Sequence, residues 1–252
     1  MSSEQSKDDP ASLWSTLPKA ISLVVSLSAL GYFIGWRESS AFYESAGAPW
    51  AAMSVPPAAL LQQSSSTVLA IAFGAFFSLV LLIDNKVQAR KLTWFCALLL
   101  LASSLCLLAS QGSLGKLEPK HAYTFASIGS TLCAVAAGIT LTELYEGTRS
   151  GQTKMSSGYL WLVYWFALPG LFWAPDRLGQ ARSLRDMDVS ASTLPSVSLD
   201  QPPVPGDWRL VHLYQDQALI VKLDSKRQDR EFKVLGSKDI RLISSVPAPG
   251  RP

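Results

Sequence analysis

Two long apolar runs separated by a short charged turn constrain this chain more than any other feature. The runs cover residues 67–83 and 92–110, and neither contains a charged residue. At about 1.5 Å per residue, each run forms a helix that just crosses a hydrocarbon core of about 30 Å. We therefore predict an integral membrane protein built around this helical hairpin.

Three further apolar runs extend the hairpin into a predicted bundle of about five transmembrane helices. A cleavable signal peptide is the alternative for the first of them, but its length and the acidic leader before it favour an uncleaved helix. The fold predicted is a membrane α-helical bundle with a small C-terminal antiparallel β meander. The predicted spans are 19–36, 67–83, 92–110, 122–142 and 158–174.

The rest of the chain divides by composition. We predict a polar N-terminal tail at 1–18, a Ser/Pro-rich linker at 175–207 and a short tail at 246–252. Between the last two, residues 208–245 form four short runs of β-forming residues separated by turn residues. A unit of about 40 residues is near the lower limit for independent stability. We expect it to pack on the outer loop 37–66, on a partner or on copies of itself.

Charge asymmetry predicts the orientation in the membrane. Lys86, Arg90 and Lys91 lie within the short central turn, and such a concentration of cations marks the cytoplasmic side. Five spans then place the N-terminus in the cytoplasm and the β unit outside, which is the periplasm if the membrane is a bacterial inner membrane. The arginines after the last run, Arg177 and Arg182 among them, favour the opposite side. A cytoplasmic β unit is the alternative if 158–174 does not span.

Small residues at helical spacing predict close helix packing. Gly31 and Gly35 form a G-x-x-x-G pair, which permits close approach of a neighbouring helix. The fourth run carries a stripe of small side chains on one face, and we predict that it is the packing centre of the bundle. The stripe includes Ala126, Ser130, Ala134 and Gly138. A narrow polar path lined by Ser127, Ser130, Thr131 and Thr140 is the alternative use of this helix.

The sequence contains no recognisable catalytic, metal-binding or nucleotide-binding motif. Its three cysteines lie inside apolar runs, and its two histidines, His121 and His212, lie in different regions. No apolar run has an ionisable residue in its interior, which argues against a proton- or ion-coupled transporter. The net charge of +3 without a dense basic stripe predicts no nucleic-acid partner. We predict a protein that is not an enzyme and has no cofactor or bound metal.

These observations favour a multi-pass membrane protein that acts by protein–protein interaction. Its partners would be the lipid bilayer and either another protein or further copies of this chain, with the β unit and the outer loop as binding surface. An assembly, receptor-like or immunity-type role would suit this layout. The alternative is a small passive channel or transporter for an uncharged solute.

Overall fold

The computed structural model of the chain is mostly helical and ends in an antiparallel β-sheet. It describes residues 10–83, 89–112, 117–149, 165, 168–199, 206–214, 216–223 and 230–244. Four long helices come first: α1 (Pro10–Ala46), α2 (Pro57–Ile83), α3 (Ala89–Ser110) and α4 (Pro119–Arg149). A one-turn π-helix (Pro169–Trp173) then leads into α5 (Ala174–Asp186).

Three of the described helices are long and apolar enough to cross a membrane. They are α2, α3 and α4, over Pro57–Leu82, Leu92–Ser110 and Pro119–Tyr145. The membrane character predicted from the central hairpin is thereby supported, and the helices contain the predicted spans 67–83, 92–110 and 122–142. Of the three, α4 is the most buried, because α2 and α3 pack on different sides of it. Helix α1 contains the predicted span 19–36 but is not one of these three helices. Most of the predicted span 158–174 lies outside the described residues.

The outer loop predicted at 37–66 is largely helical instead, which corrects the sequence interpretation. Helix α1 continues to Ala46, and α2 already begins at Pro57. Proline is tolerated in the first turn of a helix, where its missing N–H has no intrahelical acceptor to bond. Only the connection between the helices, with the 3-10 helix Pro49–Ser54, is non-α-helical. The predicted tail 1–18 is corrected in the same way, since α1 begins at Pro10.

The linker predicted at 175–207 is also wrong in part, because this stretch contains α5 and a β-strand. The helix has no long apolar stripe, and its charged side chains pair with α1 and with one another. The strand, β1 (Ser196–Leu199), has four residues and no periodic pattern long enough to be recognised. Both elements depend on contacts with distant parts of the chain, which composition does not reveal.

Five strands form one antiparallel sheet in the order β4-β3-β2-β1-β5. The remaining strands are β2 (Trp208–Tyr214), β3 (Gln217–Lys222), β4 (Phe232–Gly236) and β5 (Ile240–Ser244). All four coincide with predicted runs, and β2-β3-β4 is a meander as predicted. The prediction of a simple meander is wrong for β5, which pairs with β1 at the other edge, with Ser196 opposite Ser244.

The sheet must curl because its two edge strands are joined directly. Only the turn Ser237–Asp239 separates β4 from β5, and such a link spans at most about 14 Å. The edges of a flat five-stranded sheet would be about 19 Å apart. Curling encloses a small core that contains Val197, Trp208 and Ile220.

The other face of the sheet packs on the end of α1 and on the Pro49–Ser54 helix. Leu219 and Val221 of β3 contact the buried side chains of Phe42, Tyr43 and the alanines around residue 50. Arg230 adds hydrogen bonds from its guanidinium to the carbonyls of Ala46, at 3.4 Å, and Met187, at 3.3 Å. The sheet therefore rests on what the sequence interpretation called the outer loop, one of the three sites left open for it.

Candidate functional site

Helices α2 and α4 approach each other so closely that their backbones touch. A Cβ atom at Gly138 would overlap the carbonyl oxygen of Ile71, and one at Gly74 would overlap that of Val135. The hydroxyl of Thr142 donates to the Ala75 carbonyl at 3.2 Å, across the same interface. Close approach at small residues allows such dispersion and hydrogen-bond contacts in the absence of a hydrophobic driving force.

The other residues of the predicted packing set also lie at helix contacts. Ala126 and Ala134 are fully buried, and Ser130 is nearly so. Gly31 lies against Leu61 and Ser64 of α2, and a Cβ atom at Gly35 would overlap the Leu60 carbonyl.

The proposed polar path has few free groups among the described residues. Thr140 donates to Ala136 and Thr131 to Ser127 within α4 itself. The buried hydroxyl of Ser130 is the exception, since it has no hydrogen-bond partner in the part of the chain that the structure describes.

The predicted topology anchors come in or beside the turn between α2 and α3 in the sequence. Lys86 falls in 84–88, outside the described residues. Arg90 and Lys91 belong to the first turn of α3. The structure describes their backbone but not their side chains.

A cluster of six charged side chains joins α1 to α5 beside the sheet. Arg37 pairs with Asp176, and the guanidinium of Arg182 lies 3.7 Å from Glu38 and 3.5 Å from Asp186. Arg185 completes the cluster at 2.7 Å from Asp186. Three cations balance three anions, so the cluster is neutral. The carboxylates of Glu38 and Asp186 are almost fully buried, which makes their pairing necessary.

Close packing of α5 on α1 brings these charges together. A Cβ atom at Gly179 would overlap the carbonyl oxygen of Glu38, so only glycine allows this approach. Burial raises the pKa of Glu38, and a hydrogen bond with Gln63 and the nearby Arg182 oppose this effect. Burial likewise raises the pKa of Asp176, against the attraction of Arg37.

A small cavity of about 60 Å³ lies between this cluster and the sheet. Its lining includes Ser39, Tyr43, Gln63, Arg182 and His212. The Nε2 atom of His212 is buried and has no partner among the described residues, and burial lowers the pKa of this side chain. This volume is large enough to hold water, which needs at least about 10–15 Å³ of such space. A cavity of this size is far below the several hundred Å³ of a typical small-molecule pocket.

No family model, curated protein or solved structure matches this chain. The described residues also contain no group of three or more His, Cys, Asp or Glu side chains that could hold a metal ion.

Sequence reasoning missed the charge cluster at the α1–α5 junction. It assigned Glu38 to a loop and treated the arginines of α5 only as evidence about topology. One signal was available: Arg182 and Asp186 are four residues apart, which puts them on one face if the stretch is a helix. Their pairing with Arg37 and Glu38 required knowledge of which helices are neighbours.

Proposed function

We propose that the chain crosses the membrane five times and carries its sheet on the side opposite the 84–88 turn. Helix α5 runs parallel to α1, since Phe33 contacts Phe172, Arg37 pairs with Asp176 and Arg182 lies over Phe42. Helix α4 ends at the opposite end of the bundle, beyond the contact of Glu143 with Thr93 near the start of α3. The chain must return between residues 149 and 174, and a fifth crossing accounts for this return.

Contacts at mid-depth support the fifth crossing. A Cβ atom at Gly170 would lie 2.9 Å from the carbonyl oxygen of Cys133, near the middle of α4, whereas Arg185 lies 3.9 Å from the ring of Tyr123 at the start of α4. Residues 170–185 thus run along α4 in the opposite direction. With the cations of the central turn in the cytoplasm, the sheet would be outside, in the periplasm of a bacterial cell.

We infer that the protein is not an enzyme and works by binding another protein, or a second copy of itself, through this outer part. The observation that carries the inference is a pair of exposed side chains beside the docked sheet. In the Pro49–Ser54 helix, Trp50 is 52% exposed and Met53 is 93% exposed, while Ala51 between them is buried against the sheet. Tryptophan often anchors protein interfaces, and methionine adapts to irregular surfaces.

The position of this pair argues against lipid as its contact. The candidate span of α2 begins at Pro57, but the apolar run 67–83 is by itself long enough to cross. The ten residues of α2 before this run, a rise of about 15 Å, can therefore lie outside the hydrocarbon core. Gln62, Ser65 and Ser66 in this stretch are exposed. Trp50 and Met53 therefore stand beyond a polar band, on a support held rigid by the charge cluster.

A crosslinking experiment tests the binding role. A photoreactive amino acid at Trp50 in living cells should give a discrete crosslinked protein product, and the same group at Trp94, an exposed tryptophan of α3, should not. With the photoreactive group moved to a sheet position such as Val234, the same product should again form. Adding Trp50→Ala and Met53→Ser to that protein should then reduce its yield by at least tenfold, as expected for interface anchors. The role is rejected if position 50 gives no protein product and the double variant keeps the cellular phenotype.

The channel alternative has weaker support from the geometry. The small-residue face of α4 that would line a path is packed against α2 at Gly138 and Thr142. Among the described residues, the buried hydroxyl of Ser130, which has no hydrogen-bond partner there, favours it. Solute flux into liposomes that Ser130→Leu abolishes, without loss of folding, would revive it.

A further inference from the structure

A membrane-facing groove of about 430 Å³ lies between α3 and the chain leading into α5. Its α3 wall is formed by Ala97, Leu101 and Ser104, and Trp165 and Trp173 lie on the opposite wall. The α3 residues belong to the middle of the span Leu92–Ser110. The groove is therefore at the depth of the hydrocarbon core, where lipid tails or other transmembrane helices can reach it.

The lining of the groove suits a lipid tail. Its walls are mostly apolar, and a flexible acyl chain can follow a narrow apolar groove of this kind. The cation of Arg177 beside Trp173 favours a lipid with an anionic headgroup over a second helix.

Arg177 lies where the groove meets the outer end of the bundle. Its guanidinium is 5.8 Å from the centre of the Trp173 ring, which also lines the groove. It donates to Gln180 at 3.1 Å, and Gln111 at the end of α3 accepts from it at 3.0 Å when its amide oxygen faces the guanidinium. The neighbouring Asp176 is already paired with Arg37.

The hydrogen bonds of Arg177 are made to neutral amide groups, and the nearby carboxylate of Asp176, which also attracts Arg177, is paired with Arg37. Guanidinium groups recognise phosphate oxygens well, and tryptophan is enriched at the headgroup level. We propose that the groove binds one acyl chain of an anionic phospholipid, whose phosphate contacts Arg177. The proposal rests on the proposed fifth crossing, to which Trp165 and Trp173 of the second wall would belong.

The test measures lipid bound to the full-length protein in mild detergent. Native mass spectrometry should detect one retained phospholipid, and phosphatidylglycerol should bind to delipidated protein at least fivefold more tightly than phosphatidylcholine. Arg177→Gln should reduce this preference by about fivefold, the effect of one cation near a membrane surface. Lys120→Gln, which removes an exposed cation from the start of α4, should leave it unchanged.

Larger side chains in the groove wall provide an independent test, because they should exclude the acyl chain. Ala97→Leu should reduce binding of both lipids at least fivefold. The control is Ala102→Leu, at an exposed position of the same helix, which should leave binding unchanged. If Ala97→Leu aggregates, Ser104→Leu is used in its place. The proposal fails if the wild-type protein retains no lipid, if the two charge variants behave alike, or if the filling variants and their control behave alike. A membrane-impermeant maleimide applied to Lys238→Cys in intact cells tests the fifth crossing separately. If this cysteine is not labelled from outside, the fifth crossing itself is wrong.

Discussion

Gly138→Ala is expected to cost about 3 kcal/mol of stability, toward the upper end of overpacking effects. The new methyl group would overlap the Ile71 carbonyl, which belongs to the backbone and cannot rotate away. The helices α2 and α4 must separate, and the bond from Thr142 to Ala75 weakens with them. The apparent melting temperature in detergent, followed by size-exclusion recovery, measures the loss.

Gly31→Ala is the matched control for this prediction. A Cβ atom there would lie 3.2 Å from the ends of the Leu61 and Ser64 side chains, which can shift by a few tenths of an ångström. Alanine also favours the helix by about 1 kcal/mol over glycine. The control should melt at or slightly above the wild-type temperature. Equal losses for both variants would mean that backbone contact between α2 and α4 does not hold the bundle together.

Arg182→Ala should be the most damaging substitution in the charge cluster, at about 2–3 kcal/mol. It leaves the buried carboxylate of Glu38 without its cation and removes one of the two arginines paired with Asp186. Breaking a fully buried pair costs about 3–5 kcal/mol, and the partial exposure of Arg182 reduces the figure. The loss of stability is measured by thermal unfolding, followed with a label on the sheet, for example at Lys238→Cys.

The double variant with Glu38→Gln separates charge from packing. A neutral amide at position 38 needs no cation, so adding Glu38→Gln to Arg182→Ala should recover about half of the loss. Lys238→Ala, which removes an exposed cation from the sheet, should change stability by less than about 0.5 kcal/mol. If Glu38→Gln instead deepens the loss caused by Arg182→Ala, the electrostatic account of the junction is wrong.

The elements predicted well from the sequence are those whose signal is local and repeated. The apolar runs of α2, α3 and α4 are long and uncharged, and the membrane environment itself requires this. The strands β2 to β5 were also identifiable, since they combine β-forming residues with turn residues between them. The stripe on α4 marked Gly138 as a packing position before its contact with Ile71 was known.

The elements missed are those whose stability comes from distant contacts. Helix α5 is polar, and it is held by Glu38 and Arg37 from the start of the chain. Residues 37–46 and 57–66 look like a loop because the prolines near 56 suggest a break, yet proline at position 57 begins a helix. The exposed pair Trp50 and Met53 lies in the same stretch, and its height above the membrane depends on the length of these helices, which the sequence does not reveal.

The side of the membrane that carries the sheet tests the account most directly. Cysteines at Val87 and Lys238 can be labelled in intact cells with a membrane-impermeant maleimide, with Cys96, Cys106 and Cys133 replaced by alanine. We predict that Lys238→Cys is labelled from outside, and that Val87→Cys is labelled only after the membrane is opened. Labelling of both positions from the same side would contradict the fifth crossing, the outward position of the sheet and the binding role assigned to it.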